Sequence, residues 1–204
     1  MANIQHILNS SKYDSVRSIL KIAGSLGEKE KIEIYVVGGF VRDLLMEKPI
    51  NDIDLMTVGE GIPFAEILAD ELGRKKVVPF KKFGTALIPG NDIQIEVATA
   101  RKETYQGNSR KPSEIIYTDL EGDLVRRDFT INAMAMNITP SHFGDLTDPY
   151  GGISDIHKKI IKTPLDPNET FSEDPLRMMR AAYFASKLSL NIEKACLESI
   201  KDNA

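Results

Sequence analysis

The chain has 204 residues, 42% of them apolar, and a formal net charge of −4 at pH 7, enough sequence for one large domain or about one and a half ordinary ones around a normal core. The acidic balance argues against a surface that is nucleic-acid footprint throughout. No apolar run reaches the roughly eighteen residues of a membrane span, and the start MANIQHILNSSKYDSVRS has neither a signal-peptide block nor the Arg-rich bias of a transit peptide, so no membrane partner and a cytoplasmic location are expected.

In chain order, Tyr13, Val16, Ile19, Leu20 and Ala23 fall at helical spacing over 13–26, with Gly27 as the expected stop. IEIYVVGG reads as a buried strand running into a glycine turn, FVRDLLM as a short helix and DIDLMTV as a second strand. PFAEILADELG is a helix with Pro63 near its first turn and Gly73 past its end. KKVVPF, FGTALIPG and DIQIEVATA are three further strands. A polar loop to about 113 follows, and its stretch ARKETYQGNSRKP sets Arg101, Lys102, Arg110 and Lys111 against Glu103 alone. Helices are expected over about 129–137 and 172–188, with a short strand in HFGDLTD and a turn in DPYGG between them, and Cys196, which has no disulfide or zinc partner, is expected to be an inert helix residue. This order predicts an α+β fold: a mixed sheet with flanking helices over 1–140, then a mainly helical part over 141–204.

In a strand, residues two apart share a face, so Asp52 and Asp54 project together while Ile53 and Leu55 turn inward. Carboxylates held so close repel unless a cation lies between them. Mg²⁺ suits the position, since it prefers oxygen ligands and takes one or two carboxylates plus substrate phosphates. Glu96, opposite in phase to Ile93, Ile95 and Val97, is a candidate third carboxylate. Taken alone, Asp-x-Asp is more often an exposed strand edge with turn chemistry at Asn51 and Asp52. The glycine turn alters that balance. Gly38 and Gly39 end a strand and open a helix, where backbone N–H groups approach an anion, and Arg42 on the first turn adds a charge. Neither the Rossmann nor the P-loop spacing is present.

Two clusters remain. VRRDFTINAMAM sets Arg126, Arg127 and Asp128 before an apolar segment, where Asp128 is either a helix cap or, with the Arg pair, part of a sugar and phosphate site. FSEDPLRMMRAAYFASKL has Ser172 as an expected cap with Glu173 and Asp174 in the first turn, and Glu173, Arg177 and Arg180 on one stripe. A salt-bridged surface helix accounts for this pattern. So does a base reader, because Asp174 accepts where Arg177 donates.

GGFVRDLL, NDIDL, RRDFTINAMA, DPYGG and EDPLRMMRAA occur here in the order found in the bacterial-type tRNA nucleotidyltransferase and poly(A) polymerase family, of the polymerase-beta-like nucleotidyltransferases, and the chain resembles that family from about 34 to 190. The resemblance implies a head whose mixed sheet carries the catalytic aspartates Asp52 and Asp54, beside which Glu96 stands as the candidate third catalytic carboxylate from its strand phase alone, followed by the start of an all-helical neck. It implies two Mg²⁺ ions on Asp52 and Asp54, the triphosphate at Gly38, Gly39 and Arg42, and the sugar region at Arg127 and Asp128. Asp174, Arg177 and Arg180 would read the base, DPYGG would be the joint between head and neck, and the basic loop at 101–112 would be a mobile element fitting the pocket.

The expected reaction joins CMP or AMP from CTP or ATP to the 3′ end of tRNA or another RNA, releasing pyrophosphate. Poly(A) tailing and an A-only or CC-only specialist stay open, as does a regulatory module that binds nucleotide without transfer. Two departures stand out: Tyr183 replaces a third Arg of the last motif, and the chain stops at Ala204 where the family continues into a helical body and tail. It therefore reads as a piece of a longer protein.

Overall fold

The computed structural model describes residues 2–104 and 114–203; Arg110 and Lys111 of the basic strip, and most of the expected mobile loop, lie outside the described residues. Strand β1 (Ala2–Asn3) leads through two 3-10 turns into α1 (Asp14–Glu30). Next come β2 (Glu33–Val37), α2 (Gly39–Leu45), β3 (Asp52–Val58) and α3 (Gly61–Glu71), then β4 (Val78–Phe80), β5 (Thr85–Ile88) and β6 (Gln94–Thr99). A hairpin of β7 (Arg101–Thr104) and β8 (Glu114–Tyr117) precedes α4 (Leu120–Val125), β9 (Ala135–Asn137) and β10 (Asp145–Thr147). The rest comprises α5 (Gly152–Lys158), β11 (Ile160–Ile161), α6 (Pro167–Glu173), α7 (Leu176–Leu188), β12 (Asn191–Ile192) and α8 (Lys194–Asn203). Among the described residues no helix is long and apolar enough to cross a membrane.

The main sheet has eight strands in the order β1-β10-β9-β2-β3-β6-β5-β4. Within it β3 and β6 run parallel and the other neighbours antiparallel, which is the mixed sheet expected. Helices α1 and α3 cover one face: Leu20, Ala23, Phe64 and Leu68 pack on Ile34, Val36, Ile53, Leu55, Ile95 and Val97, each buried Val, Leu, Ile or Phe contributing about 1.5–3 kcal/mol. A second core, built from Phe129, Ile131, Ile161, Phe171, Ala181, Phe184 and Leu188, holds the C-terminal helices together. The sheet face away from α1 and α3 is left for the site.

Three expectations are corrected. Gly27 does not stop α1; the helix runs to Glu30 and ends on Lys31 in the left-handed conformation (φ 58°). Gly27 is a packing notch instead, since a Cβ there would lie 2.7 Å from Ile34 Cγ2. The helix expected over 129–137 is a single 3-10 turn, Thr130–Asn132, followed by β9 between β10 and β2. Its apolar run is buried on all sides, a case where periodicity does not separate strand from helix. The helix expected over 172–188 is two helices broken at Asp174–Pro175, because proline lacks an N–H and drives the preceding residue out of the helical region; Asp174 is extended (φ −143°, ψ 99°). Ser172 is therefore no cap: α6 is capped by Asp166, whose carboxylate accepts from Asn168 N at 2.8 Å and Glu169 N at 3.4 Å, and Glu173 ends that helix rather than opening the next.

Helix α1 crosses the end of the sheet at Gly24, where an added Cβ would stand 1.7 Å from the Ile138 carbonyl oxygen, a backbone atom with no freedom to yield. Gly24→Ala is expected to destabilise the chain by about 2 kcal/mol or more, and Ser25→Ala, on the exposed side of the same helix, by less than about 0.5 kcal/mol; urea denaturation of both variants measures the difference.

Candidate active site

Strand β3 alternates as its sequence requires. Ile53 and Leu55 are buried in the core, while Asp52 is exposed and Asp54 partly buried on the opposite face. The parallel register sets Asp54 opposite Glu96 and Asp52 opposite Gln94, so the three candidate carboxylates share one face of two adjacent strands. Burial, then the charge of Glu96 and that of Asp52, push the Asp54 carboxyl up to about 6, against the pull of Arg127 and Arg42. These groups line a cleft of about 710 Å³ together with Gly39, Arg42, Asp43, Leu87 and Lys187.

The glycine turn lies beside them. Gly38 takes φ 66°, a region that favours glycine, and a Cβ there would meet Arg127 Nη1 at 2.7 Å. Gly39 opens α2. The side chain of Arg42 is buried and engaged by the protein. Nε and Nη2 donate to the two carboxylate oxygens of Asp43 at 2.9 Å each, and Nη1 donates to Asn132 Oδ1 at 2.6 Å. It faces the cleft as a fixed charge with its fork already paired.

From Asn132 the network crosses to the neck. Asn132 Nδ2 donates to Asp128 Oδ1 at 3.0 Å, the Phe129 N–H to the same oxygen at 2.9 Å, and Arg180 Nε to Asp128 Oδ2 at 2.7 Å. Asp128 thus caps no α-helix; it joins head to neck. Arg126 and Arg127 are both held by Asp123: Arg127 Nη2 donates to Oδ2 at 2.7 Å, and Arg126 Nη2 to Oδ1 at 2.5 Å. Burial raises the Asp123 carboxyl, but Arg127 and Arg126 outweigh it and hold the group below its ordinary value.

On the neck, Arg177 is buried, donating from Nη2 to the Arg126 carbonyl at 3.0 Å and from Nη1 to the Thr170 carbonyl at 3.3 Å and Glu173 Oε2 at 3.2 Å. Asp174, at the break between α6 and α7, accepts the Leu176 N–H on Oδ1 at 3.0 Å. Arg180 is half exposed, and its guanidinium and that of Arg42 each lie 5.1 Å from the Phe184 ring centre. A second cleft of about 400 Å³ collects Gly38, Arg127, Asp128, Asp174, Arg177 and Arg180, and shares Gly39, Arg42 and Asp54 with the first. Every expected site residue therefore lines one continuous depression. Asp123, Asn132 and Phe184 join the site without having been singled out. The signal for Asp123 is its spacing of three and four residues from Arg126 and Arg127, which suits ion pairs on one helical face.

Asp52 and Asp54 offer acidic oxygens beside a pocket rich in cations. Among the described residues no group of three His, Cys, Asp or Glu side chains converges at metal spacing; two carboxylates on one strand face are a donor set of the kind a divalent cation accepts when substrate phosphates complete its shell. The raised Asp54 carboxyl carries its own consequence. Because it titrates near 6 when folded against an ordinary 3.8, the native state binds more protons between those values, and this contribution to stability is complete below the lower value and lost as pH rises through the upper. In chelator, Asp54→Asn is expected to stabilise the chain by about 1 to 2 kcal/mol at pH 7.5, a gain that shrinks toward zero by pH 4; urea denaturation at the two pH values checks it.

The sequence model of the Poly A polymerase head domain matches residues 34–162. An A-adding tRNA nucleotidyltransferase of Aquifex aeolicus (strain VF5) is 39% identical over 83% of this chain and 20% of its own length. A CCA-adding enzyme of Anoxybacillus flavithermus (strain DSM 21510 / WK1) is also 39% identical, over 82% of this chain and 40% of its own. A crystal structure of a tRNA nucleotidyltransferase with a primer tRNA and an incoming ATP analogue superimposes with a TM-score of 0.77 at 36% identity, covering 88% of this chain and 49% of that one. The chain thus spans less than half the length of each of these proteins, and the segment matched by the head-domain model holds Asp52, Asp54 and Glu96. With the head-domain match covering more than half its residues, the chain belongs to the Poly A polymerase head domain family.

Proposed function

We propose that this chain is the catalytic head and the beginning of the neck of a metal-dependent, template-independent nucleotidyltransferase that adds CMP, AMP or both to the 3′ end of tRNA. The observation that carries the proposal is the shared face of Asp52, Asp54 and Glu96 below a wall of Arg42, Arg127 and Arg180. That arrangement matches a substrate pairing a polyanionic triphosphate with a hydroxyl nucleophile. We take the head to include β10, whose pairing with β9 carries the main sheet to Thr147, with the neck after it. A cytoplasmic location accompanies this function.

In the reaction the RNA 3′-oxygen bonds to the α-phosphorus and the bond from that phosphorus to the bridging oxygen breaks, so pyrophosphate leaves with the electron pair. Glu96, exposed beside Asp54, accepts the hydroxyl proton. Asp52 and Asp54 would hold Mg²⁺, two ions being expected, which when bound supplies neutralisation of charge at the attacking and leaving oxygens. The protein's share is otherwise positioning and electrostatics. Gly38 lets the backbone turn close under Arg127, and Asp123 and Asp43 fix Arg127 and Arg42 in place. Asp174 offers an acceptor to the base; Arg177, donating to the Arg126 and Thr170 carbonyls, keeps Asp174 at a set distance from the head.

Asp52→Asn and Asp54→Asn are each expected to lower transfer to tRNA at least about a thousandfold with the circular dichroism spectrum unchanged, measured on the full product of the gene. Assays on tRNA trimmed of its terminal residues, with ATP and CTP separately and together, identify the product: C then A for CCA addition, A on a CC end for an A-adding specialist, long A tracts for tailing. Nucleotide binding without pyrophosphate release would make the protein a regulatory module. Asp174→Ala is expected to reduce discrimination among ATP, CTP and UTP at least tenfold, read as the ratio of kcat/KM values.

A further inference from the structure

The cleft opens on one side toward a part of the sheet to which no role has been given. Strand pairing runs in one row from the carboxylates outward: Asp54 faces Glu96, Glu96 faces Leu87, and Leu87 faces Val78 on β4. The next row sets Ala98 against Thr85 and Thr85 against Phe80. Side chains directly opposite in neighbouring strands share a face, so Val78 and Phe80 continue the face that carries Asp54 and Glu96. From β3 to β4 the distance is three strand spacings, about 14 Å, or roughly four stacked nucleotides.

The end of this row has an unusual surface. Phe80 and Phe83 are 46% and 42% exposed; Lys75, Lys76, Lys81 and Lys82, all exposed, lie within a few residues of them in the sequence, and the Lys82 ammonium stands 6.0 Å from the Phe83 ring centre. Between Glu71 and Asp92 the sequence has no acidic residue, in a chain whose total charge is −4. Among the described residues no carboxylate pairs with any of the four lysines; Arg74, by contrast, is held by the Ile88 and Ile93 carbonyls. Arg101 closes the inner side, donating to the Phe83 carbonyl and to Thr85 Oγ1. Exposed aromatic side chains beside cations that no carboxylate neutralises, on a surface continuous with the reacting groups, are the composition that binds single-stranded nucleic acid by stacking and phosphate neutralisation.

We propose that β4 and the turn after it are the landing strip for the unpaired 3′ end of the RNA. Phe80 and Phe83 stack bases there while Lys75, Lys76, Lys81 and Lys82 contact phosphates, and the strand is led over Leu87 to Glu96. This rests on the nucleotidyltransferase function proposed above and assigns the two sides of the depression. The incoming nucleotide sits toward the neck, against Arg127, Asp128 and Asp174, and the RNA arrives across the sheet edge.

The test uses the full product of the gene, a fluorescein-labelled single-stranded RNA carrying the tRNA acceptor 3′ sequence, and trimmed tRNA. Phe80→Ala/Phe83→Ala is expected to raise the Kd for the labelled RNA and the KM for tRNA at least tenfold while the KM for ATP moves less than twofold, with Phe80→Trp/Phe83→Trp restoring both. Lys81→Gln/Lys82→Gln is expected to lower the slope of log K against log salt by about 1.4, at about 0.7 per phosphate lost, with Lys→Arg replacements keeping the slope. RNA constants unchanged in both double variants, with Asp54→Asn still abolishing transfer, overturn the landing strip and leave the enzymatic function standing. Equal losses for ATP and RNA overturn it too, as does a self-association in sedimentation that the Phe variants abolish, since the strip would then be an interface between copies. Absence of transfer by the unaltered protein, with tight RNA binding that the variants weaken, would sink the enzymatic function and keep the strip.

Discussion

The parallel pairing of β3 with β6 is the contact on which the site depends. A slip of one residue in that register would move Glu96 to the α1 and α3 side and bring Ile95 or Val97 against Asp54. The register is secured from the apolar side: Ile53, Leu55, Ile95 and Val97 are all buried in the same core. Hydrophobic packing on one face thus sets carboxylate spacing on the other. The burial and carboxylate repulsion that lift the Asp54 carboxyl are opposed by burial of those four apolar side chains.

A second level of organisation is polar. Arg42, Asn132, Asp128 and Arg180 form an unbroken chain of hydrogen bonds from α2 to α7, and Arg177 adds a bond to the Arg126 carbonyl. Buried charges require such partners, because an unpaired ion in a low-dielectric interior is costly. No buried side-chain nitrogen or oxygen among the described residues lacks a hydrogen-bond partner. The same satisfaction changes how the site's arginines act. With its fork bound to Asp43 and Asn132, Arg42 contributes a fixed field more than a new ligand bond, whereas Arg180, half exposed, retains donors for a substrate.

Much of this was legible in the residues. The alternation at Asp52–Leu55 and Gln94–Val97 reveals which faces carry carboxylates, because period-two patterning survives wherever one face is apolar. The glycine pair shows the turn for a reason of backbone sterics. What stayed hidden has a common cause in tertiary context. The segment 129–136 is buried along its whole length, its Thr130 and Asn132 included, so its period says nothing. The break at Pro175 is written plainly, yet Ser172 and Glu173 imitate a helix start closely enough to mask the real cap at Asp166. Asp123, almost fully buried at 1% exposure, is one acidic residue among several in its stretch until the fold brings two arginines onto it.

The short segment from Asp128 to Asn137 belongs to two bodies at once. Phe129 and Ile131 are embedded in the helical core, and four residues after Ile131 the strand Ala135–Asn137 is stitched between β10 and β2; between them the Met134 carbonyl accepts the Gly38 N–H at 3.1 Å. It works as a crank whose two arms are set in different castings. A tilt of the neck would reach the glycine turn, which lines the same cleft as Asp54, through continuous backbone as far as Met134 and one hydrogen bond beyond it.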